Sequence, residues 1–359
     1  MAVQHIRNVR IAGIAAAVPR KVGENRGSSL FPDDGEYEKF VASVGIERRR
    51  LATPGRLVGS DMGKAAADKL IEGLGWDRGE IELIIYVSQS QDYKMPATAG
   101  ILQDRLGLPN TCMAFDVSLG CSGWVYGMGI AAGLVQSGFV KKALLLAGND
   151  DISCGNDTDR SHAPLFGAAF SATALQYDPA ASEIVVETGV DGSQYEAIIT
   201  RDGGSRHPFC EESLQLKTDA NGNVYRDMGT TMDGPAVFVF TLTRVPRAVK
   251  SMLQITGQTV DDVDYFVFHQ ANMLINEKVR AKCKIPVEKY PISLRDFGNN
   301  SSGSIPVAIV TRIARQLQEG DKKIIACGFG AGLSWATMSV TLQSPYIPEL
   351  IELDERDDV

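Results

Sequence analysis

Short apolar runs alternate along the chain with segments of helical spacing, and this order predicts an α/β fold. The runs are almost continuously apolar, as expected for strands that a sheet buries on both faces. Between them, apolar residues recur every three or four positions, as in amphipathic helices. Predicted strands are 9–17, 81–87, 114–118, 142–147, 167–175, 183–186, 263–268, 323–327 and 333–342. Predicted helices are 37–44, 60–74, 96–106, 122–138, 236–255, 272–282 and 303–318.

Three segments depart from this simple alternation. Segment 191–222 is polar and rich in glycine, which predicts a long loop region with a hairpin. Segment 333–342 alternates apolar and polar residues and is expected to close the sheet. The acidic segment 352–359 is expected to be a frayed tail.

Two pairs of segments echo each other across the chain. Residues 82–86 parallel residues 264–268, and residues 141–145 parallel residues 322–326. A chain of 359 residues is too long for most single cores. The repeat predicts a duplicated α/β unit, with one half at 1–178 and the other at 179–359; chance similarity between two α/β units is the alternative.

Composition excludes several classes of protein. The chain is 44% hydrophobic and 22% charged, with a net charge of −8, and its densest basic cluster, 47–50, is short, so nucleic acid is not an expected partner. No uncharged stretch is both long and apolar enough to span a bilayer, and residues 1–10 lack the apolar core of a secretory leader. The six cysteines contain no Cys-x-x-Cys pair. We expect reduced thiols, no metal site and a cytoplasmic location.

Cys121 stands where a predicted buried strand turns into a predicted helix. Residues 114–118 are mostly apolar, Gly120 follows, and residues 122–138 carry no charge. The free N–H groups and positive dipole end of a helix stabilise a thiolate at its start, which makes Cys121 a candidate nucleophile. The alternative is a small cysteine that packs under the helix.

Two other polar features follow or precede predicted buried elements. His269 comes directly after an apolar strand and before a helix, so its ring can project from a sheet edge into a pocket. The alternative, and the commoner case for a lone histidine after a strand, is a surface or core residue whose hydrogen bonds are satisfied. The Gly/Asn/Ser-rich loop 297–304 leads into a helix, where it either supplies helix-capping groups or directs an asparagine donor into a site.

Together these segments resemble the β-ketoacyl-ACP synthase III family of the thiolase superfamily, as a divergent member. The motifs are Leu-Gly-Cys-Ser-Gly at 119–123, His-Gln-Ala-Asn at 269–272 and Gly-Asn-Asn-Ser at 298–301. Further likenesses at 45–50, 203–206 and 329–335 occur in the family's order and extend the resemblance over nearly the whole chain.

The resemblance implies a thiolase-like fold of two similar halves in α/β/α/β/α layers, with the site between them. It implies that Cys121 takes an acyl group as a thioester from acyl-CoA or acyl-ACP. His269 and Asn299 would then hydrogen-bond the thioester oxygen of malonyl-ACP while carbon dioxide leaves. Backbone N–H groups of Cys121 and Ala331 would form an oxyanion hole. The family reaction uses an acyl carrier protein and needs no metal or redox cofactor.

The resemblance also assigns substrate contacts and an assembly. Arg160 matches a family contact with the CoA nucleotide, and Met95 matches a residue that bounds the partner's acyl tunnel across a homodimer. Lys39 and Ser43 stand where many members have the Trp and Arg that hold the CoA adenine. Leu274 replaces a basic residue that contacts the acidic carrier. Two basic sets offer substitutes: Lys278, Arg280 and Lys282, or Arg244, Arg247 and Lys250. A solvated helix face is the alternative for both sets. These departures indicate a specialised member with altered priming.

Alternatives remain for one cysteine and for the reaction. Cys327, in Cys-Gly-Phe-Gly, superficially resembles the second cysteine of thiolases, but it ends an apolar strand and is interpreted as a packing residue.

The expected reaction is acyl transfer to Cys121 and decarboxylative condensation in fatty acid or specialised acyl-chain synthesis. An acyltransferase that passes the acyl group to oxygen or nitrogen is the nearest alternative, and a non-catalytic partner subunit is the other.

Overall fold

The protein forms two sheets with helices packed around and between them. The structure, a computed structural model, describes residues 2–31, 33–150, 158–220 and 222–356. In chain order the strands are β1 (Ala2–Ile6), β2 (Val9–Pro19), β3 (Val22–Glu24), β4 (Arg48–Arg50), β5 (Leu83–Val87), β6 (Met113–Val117), β7 (Lys142–Asn149), β8 (Ala169–Tyr177), β9 (Ile184–Val190), β10 (Ile198–Thr200), β11 (Lys217–Thr218), β12 (Val224–Tyr225), β13 (Thr230–Met232), β14 (Tyr265–Phe268), β15 (Lys322–Gly330), β16 (Ser334–Leu342) and β17 (Ile351–Leu353). The α-helices are α1 (Asp34–Val44), α2 (Gly59–Leu74), α3 (Thr98–Arg105), α4 (Gly123–Gln136), α5 (Gly234–Thr256), α6 (Met273–Lys282), α7 (Leu294–Phe297), α8 (Ser304–Ala308) and α9 (Ala314–Gln318).

The two large sheets share one topology. The first sheet contains the run β2-β8-β7-β5 and continues to β6 beyond β5, and the second sheet contains the run β9-β16-β15-β14. In each, the first two neighbouring pairs are antiparallel and the last pair is parallel. The echoing segments occupy equivalent strands, since β5 corresponds to β14 and β7 to β15. The prediction of two similar halves is therefore confirmed, whereas their boundary at 178–179 stays a prediction.

Each end of the chain pairs with the sheet of the opposite half. The N-terminal β1 extends the second sheet beside β9, and the C-terminal β17 extends the first sheet beside β2. The expectation of a frayed tail from residue 352 is wrong for the residues that the structure describes. Arg20 binds Glu352 at 3.3 Å and Asp354 at 2.8 Å, which holds the tail against β2. Residues 357–359 lie outside the described residues.

Five layers follow from which faces of the sheets are covered. Buried residues of α2 and α3 pack on the outer face of the first sheet, and those of α5 and α6 pack on the outer face of the second. Between the sheets lie α4 and the helical segment 304–317, whose residues share one core with both inner faces. The predicted α/β/α/β/α order is confirmed. A charge-free helix such as α4 suits this central layer because apolar sheets cover it on two sides.

Two predicted elements differ from those observed. Segment 333–342 neither alternates in burial nor closes the sheet: β16 lies between β9 and β15 and is buried along almost its whole length. Both faces of the sheet are covered at β16, so neither side of this strand has to be polar. The predicted helix 303–318 contains a π-helical turn at Ile309–Ile313 between α8 and α9. A hairpin is formed by β11 and β12; it begins inside the polar segment 191–222 and ends just beyond it.

Candidate active site

The three candidate catalytic residues line one cavity. Cys121, His269 and Asn299 all contribute to a cavity of about 620 Å³, and Ala331 lines it as well. Apolar side chains of β10, α5 and α6 also line it: Ile198, Val237, Phe238, Leu274 and Ile275. The cavity is large enough for an acyl chain and part of its carrier arm.

Cys121 lies at the start of the buried central helix. The chain leaves β6, makes a tight turn in which the Gly123 N–H donates to the Gly120 carbonyl at 2.7 Å, and enters α4 at Gly123. The Cys121 Sγ lies 3.8 Å from the Ser301 Oγ. The predicted strand, turn and helix are all present, so the sulfur sits beside the positive end of a helix dipole.

The end of β15 passes directly over Cys121. A Cβ atom built on Gly330 would lie 2.7 Å from the Cys121 Cβ and 2.9 Å from its Sγ. A Cβ on Gly328 would lie 2.8 Å from the Cys121 carbonyl oxygen. Both glycines are needed because the two backbones approach so closely. This approach carries Ala331 into the cavity that Cys121 lines; the oxyanion-hole role of their N–H groups stays a prediction.

His269 is held through its backbone at the end of β14. Its N–H donates to the Cys327 carbonyl at 2.8 Å, and its carbonyl accepts from the Asn276 Nδ2 at 3.0 Å. The ring makes an edge-to-face contact with Phe329, with centroids 5.3 Å apart. The sequence analysis did not identify this role of Asn276, although Asn276 lies one helical turn after Asn272.

Burial sets the protonation state of His269. The residue is 2% exposed. Desolvation lowers the pKa of His269 to about 3, and the nearby Ser301 backbone acts in the opposite direction. In the part of the chain that the structure describes, the Nδ1 of His269 is buried and has no hydrogen-bond partner. The imidazole is therefore neutral at neutral pH and able to donate one hydrogen bond.

The other polar residues of the His-Gln-Ala-Asn motif stabilise the local fold. The Gln270 Nε2 donates to the Phe268 carbonyl at 2.8 Å, and its Oε1 accepts from the Ser293 N–H at 2.9 Å. The Asn272 side chain caps α6 by accepting from the Ile275 N–H at 2.8 Å. The motif thus places one ring in the cavity and fixes the chain on either side of it.

Asn299 is fixed by a bridge to a distant segment. Its N–H donates to the Leu165 carbonyl at 2.9 Å, and its carbonyl accepts from the Gly167 N–H at 3.0 Å. Its Oδ1 accepts from the Ser301 N–H at 2.9 Å. The preceding Gly298 has a φ of 64°, and a Cβ there would lie 2.6 Å from the Leu165 oxygen. Glycine is required at that position to bring Asn299 into the bridge.

A second buried histidine lines the same cavity and was missed from the sequence. His162 is 4% exposed and stacks on Phe166, with ring centroids 4.3 Å apart. Burial lowers the pKa of His162 to about 4, and the nearby Asp159 acts weakly in the opposite direction. The only available signal was that the chain has just four histidines.

The remaining candidates lie outside the catalytic cluster. Arg160 forms an ion pair with Glu36 of α1 on the surface. Met95 is 85% exposed and Leu274 is 43% exposed. Cys327 is fully buried in the core that α5 covers, and burial raises the pKa of its thiol well above the usual range. That environment agrees with the packing interpretation of Cys327.

The described segments contain free thiols and no metal-binding cluster. Cys112, Cys210, Cys283 and Cys327 are free thiols, and Cys154 lies outside the described residues. Within those segments, no cluster of three or more His, Cys, Asp or Glu has a metal-binding arrangement. None of the helices described is long and apolar enough to cross a membrane.

The fold and the cavity together define a class of enzyme. A cysteine at the start of a central helix faces a neutral histidine and an asparagine from the other half of a duplicated α/β fold, which is the arrangement of a thiolase-fold acyltransferase. Residues 115–192 match the family described as 3-oxoacyl-[acyl-carrier-protein] synthase III, and residues 253–342 match its C-terminal domain.

Individual relatives agree with this class. The chain is 32% identical over 332 residues to a β-ketoacyl-[acyl-carrier-protein] synthase III of Geobacillus kaustophilus, which covers 92% of this chain and 97% of the relative. A crystal structure of a 3-oxoacyl-(acyl-carrier protein) synthase from Burkholderia xenovorans superposes with a TM-score of 0.92 at 33% identity, covering 98% and 99%. The priming β-ketosynthase of the R1128 polyketide pathway gives a TM-score of 0.78 at 25% identity, covering 97% and 99%. This chain belongs to the β-ketoacyl-ACP synthase III family of the thiolase superfamily, and the predictions of family, fold and acyltransferase class are confirmed.

Proposed function

We propose that this protein catalyses decarboxylative Claisen condensation between an acyl thioester and malonyl-ACP. In the first half-reaction the Cys121 thiolate attacks the acyl thioester, and a Cys121–acyl bond forms as the acyl–carrier C–S bond breaks. The carrier leaves as a thiolate, which takes a proton from solvent. In the second, the bond between the malonyl carboxylate and the α-carbon breaks, and carbon dioxide departs. The α-carbon then attacks the acyl group, the bond to Cys121 breaks, and the thiolate is restored.

The observation that carries this proposal is the pair of neutral donors in the nucleophile's cavity. Decarboxylation leaves an electron pair that becomes an enolate on the malonyl thioester oxygen. His269 is neutral because burial lowers its pKa to about 3, so it donates a hydrogen bond without fixing the product as an ion pair. Asn299 offers its Nδ2, because its Oδ1 is bound to Ser301. Preorganised donors of this kind stabilise charge that develops only during reaction.

The carrier, the assembly and the pathway complete the proposal. The malonyl group would arrive on an acyl carrier protein, and Lys278, Arg247 and Lys250 are exposed basic residues that suit its acidic surface. A homodimer is proposed because β6 is the edge strand of its sheet and Met95 is 85% exposed.

We place the enzyme in the cytoplasm, in fatty acid or specialised acyl-chain synthesis. The similarity to a priming β-ketosynthase of a polyketide pathway supports specialised acyl-chain synthesis.

A two-stage assay tests the proposal. Purified protein is incubated with a panel of acyl-CoA and acyl-ACP donors, and intact mass reports the group added. Malonyl-ACP labelled at its free carboxylate is then added, and released carbon dioxide is counted. We expect an adduct that disappears together with carbon dioxide release.

Variants assign the steps of this assay. Cys121→Ala is expected to abolish the adduct, whereas Cys210→Ala, at an exposed thiol, leaves it intact. An adduct that persists in Cys121→Ala would contradict the assignment of the nucleophile. Transfer of the acyl group to an alcohol or amine without carbon dioxide release would replace condensation with the alternative acyltransfer.

A further inference from the structure

Polar residues at three neighbouring strand ends line the acyl cavity next to Cys121. β6, β5 and β7 are adjacent and parallel, and Val87 is in register with both Val117 and Ala147. The residues just beyond these positions line the cavity, and we call them the strand-end patch: Gln89, Ser90, Ser118 and Asn149. Side chains at the carboxyl ends of adjacent parallel strands are a common ligand-binding position in α/β folds.

The strand-end patch adjoins the residue that precedes the nucleophile. A Cβ on Gly120 would lie 2.6 Å from the Gln89 Oε1, so the Gln89 side chain rests against the turn that presents Cys121. An acyl group bound to the sulfur therefore has hydrogen-bonding groups beside it.

Two members of the patch are buried and already ordered. Ser90 is 9% exposed and Asn149 is 7% exposed. The Ser90 Oγ donates to the Asn149 Oδ1 at 3.1 Å, and the Tyr86 hydroxyl donates to the Ser90 carbonyl at 2.8 Å. A purely hydrocarbon acyl chain would desolvate these amide and hydroxyl groups without offering them a partner, which is unfavourable.

The lining also restricts the charge of the acyl group. Among the described residues that line the cavity there is no Lys, Arg, Asp or Glu, and its two histidines are held neutral by burial. A carboxylate on the acyl chain would have no cation to pair with in this cavity. Burial raises the pKa of the Tyr86 hydroxyl, and Asp150, which follows Asn149 in the chain, raises it further, so a carboxyl group adjoins the patch.

We propose that the preferred acyl group bears a neutral hydroxyl group near its thioester end, which the strand-end patch recognises by hydrogen bonds. This inference rests on the proposed acylation of Cys121 and adds the substrate class. The hydroxyl donates to or accepts from Asn149, Ser90 or Gln89 while the thioester exchange at Cys121 proceeds unchanged.

The test compares acyl groups of equal chain length, each attached to pantetheine without a carrier protein. Pantetheine thioesters of butyrate, 3-hydroxybutyrate, 4-hydroxybutyrate and succinate are supplied separately, and the rate of adduct formation is followed by intact mass. We expect at least one hydroxybutyryl thioester to exceed butyryl by about tenfold or more in kcat/KM, because a site built for hydrogen bonds discriminates against the analogue that lacks them. Succinyl should be slower than either.

Two variants locate the recognition. Asn149→Leu and Ser90→Ala are expected to reduce the hydroxybutyryl-to-butyryl ratio about tenfold, since each removes a hydrogen-bonding group. Ser137→Ala, a matched change at an exposed helix end, should leave that ratio unchanged. Thermal unfolding identifies any variant that fails to fold, and Ser90→Ala removes only one oxygen.

The outcomes separate this inference from the proposed function. Butyryl labelling as fast as both hydroxybutyryl thioesters, preference for succinyl, or a ratio unaffected by both variants would overturn the hydroxyacyl assignment while leaving Cys121 as nucleophile. Failure of every thioester to label Cys121 would overturn both.

Discussion

Asn299 directs its side-chain oxygen at the backbone N–H of Ser301, with 2.9 Å between the two atoms. This hydrogen bond uses the acceptor of the amide and leaves its two N–H donors for the cavity. Ser301 has a φ of 49°, a left-handed conformation that turns its N–H back toward Asn299. The loop therefore presents a hydrogen-bond donor where an enolate oxygen is proposed to form.

Replacing Asn299 should separate the two half-reactions. Asn299→Ala and Asn299→Asp are expected to accept an acyl group on Cys121 but to release carbon dioxide from malonyl-ACP about a hundredfold more slowly, the scale of losing one oxyanion donor. Asn299→Asp keeps the acceptor for Ser301 and replaces the amide donors with a carboxylate, whereas Asn299→Ala removes both without adding charge. Equal rates for Asn299→Asp and wild type would contradict the donor role.

His269→Ala should show the same separation. The ring supplies the second neutral donor, so its loss is expected to slow decarboxylation by about two orders of magnitude while acylation continues. His269→Gln keeps a neutral donor and should recover part of the rate. Parallel loss of acylation in both variants would assign His269 to the first half-reaction instead.

Gly330→Ala should impair acylation. The new methyl group would lie 2.9 Å from the Cys121 Sγ, which must move away from its position at the helix start. We expect kcat/KM for acylation to fall by about a hundredfold, since displacement of a reacting group by about 1 Å has effects of that size.

Gly133→Ala is the matched control for this change. Gly133 lies in α4, and a Cβ there meets no atom within 4 Å. Alanine is the better helix former, so this variant should gain about 0.5–1 kcal/mol in the free energy of unfolding without loss of acylation. Equal activity of the two variants would show that Gly330 is not needed to place the sulfur.

The two buried histidines should make the fold less stable in acid. Burial lowers the pKa of His269 to about 3 and that of His162 to about 4, from 6.5 in the unfolded chain. From pH 6.5 down to those values the unfolded chain binds more protons, so the free energy of unfolding falls as the pH falls. Each histidine contributes up to about 1.4 kcal/mol per pH unit.

Urea unfolding at pH 7 and pH 5 checks this dependence. His162→Gln should show a smaller loss of stability between the two pH values than the wild type, because glutamine binds no proton. His5→Gln is the control, since His5 lies on the exposed strand β1. An identical pH dependence in His162→Gln and wild type would mean that His162 titrates alike in both states.

The primer should react faster from a carrier protein than from CoA. α1 presents the exposed residues Lys39 and Ser43 where an aromatic ring and a guanidinium would hold adenine, and Arg160 is paired with Glu36. Loss of base stacking is worth about 1–3 kcal/mol, so the KM for acyl-CoA should be raised about tenfold to a hundredfold. Acyl-ACP should therefore show the higher kcat/KM at equal acyl length.

Lys39→Trp provides the complementary variant. The added ring should improve acyl-CoA use and leave acyl-ACP use unchanged, because only CoA carries adenine. A wild-type enzyme that prefers the CoA thioester would refute the altered-priming hypothesis.

The sequence alone determined the family, the order of the main helices and central strands, and the three candidate catalytic residues. Elements follow from apolar periodicity, which is a local property of the chain, and α4 and β14 appear close to where that periodicity predicts them. Cys121, His269 and Asn299 stand in short motifs at element ends, and such motifs can be identified without knowing what lies opposite them.

Only the tertiary structure decided which distant groups meet and how deeply they are buried. The contact of Gly330 with Cys121, the bridge from Phe166 to Asn299 and the exchange of terminal strands join segments far apart in sequence. The strand-end patch exists only because three parallel strands end side by side. The neutral state of His269 and His162 depends on desolvation, which arises from the way the folded chain packs around each ring.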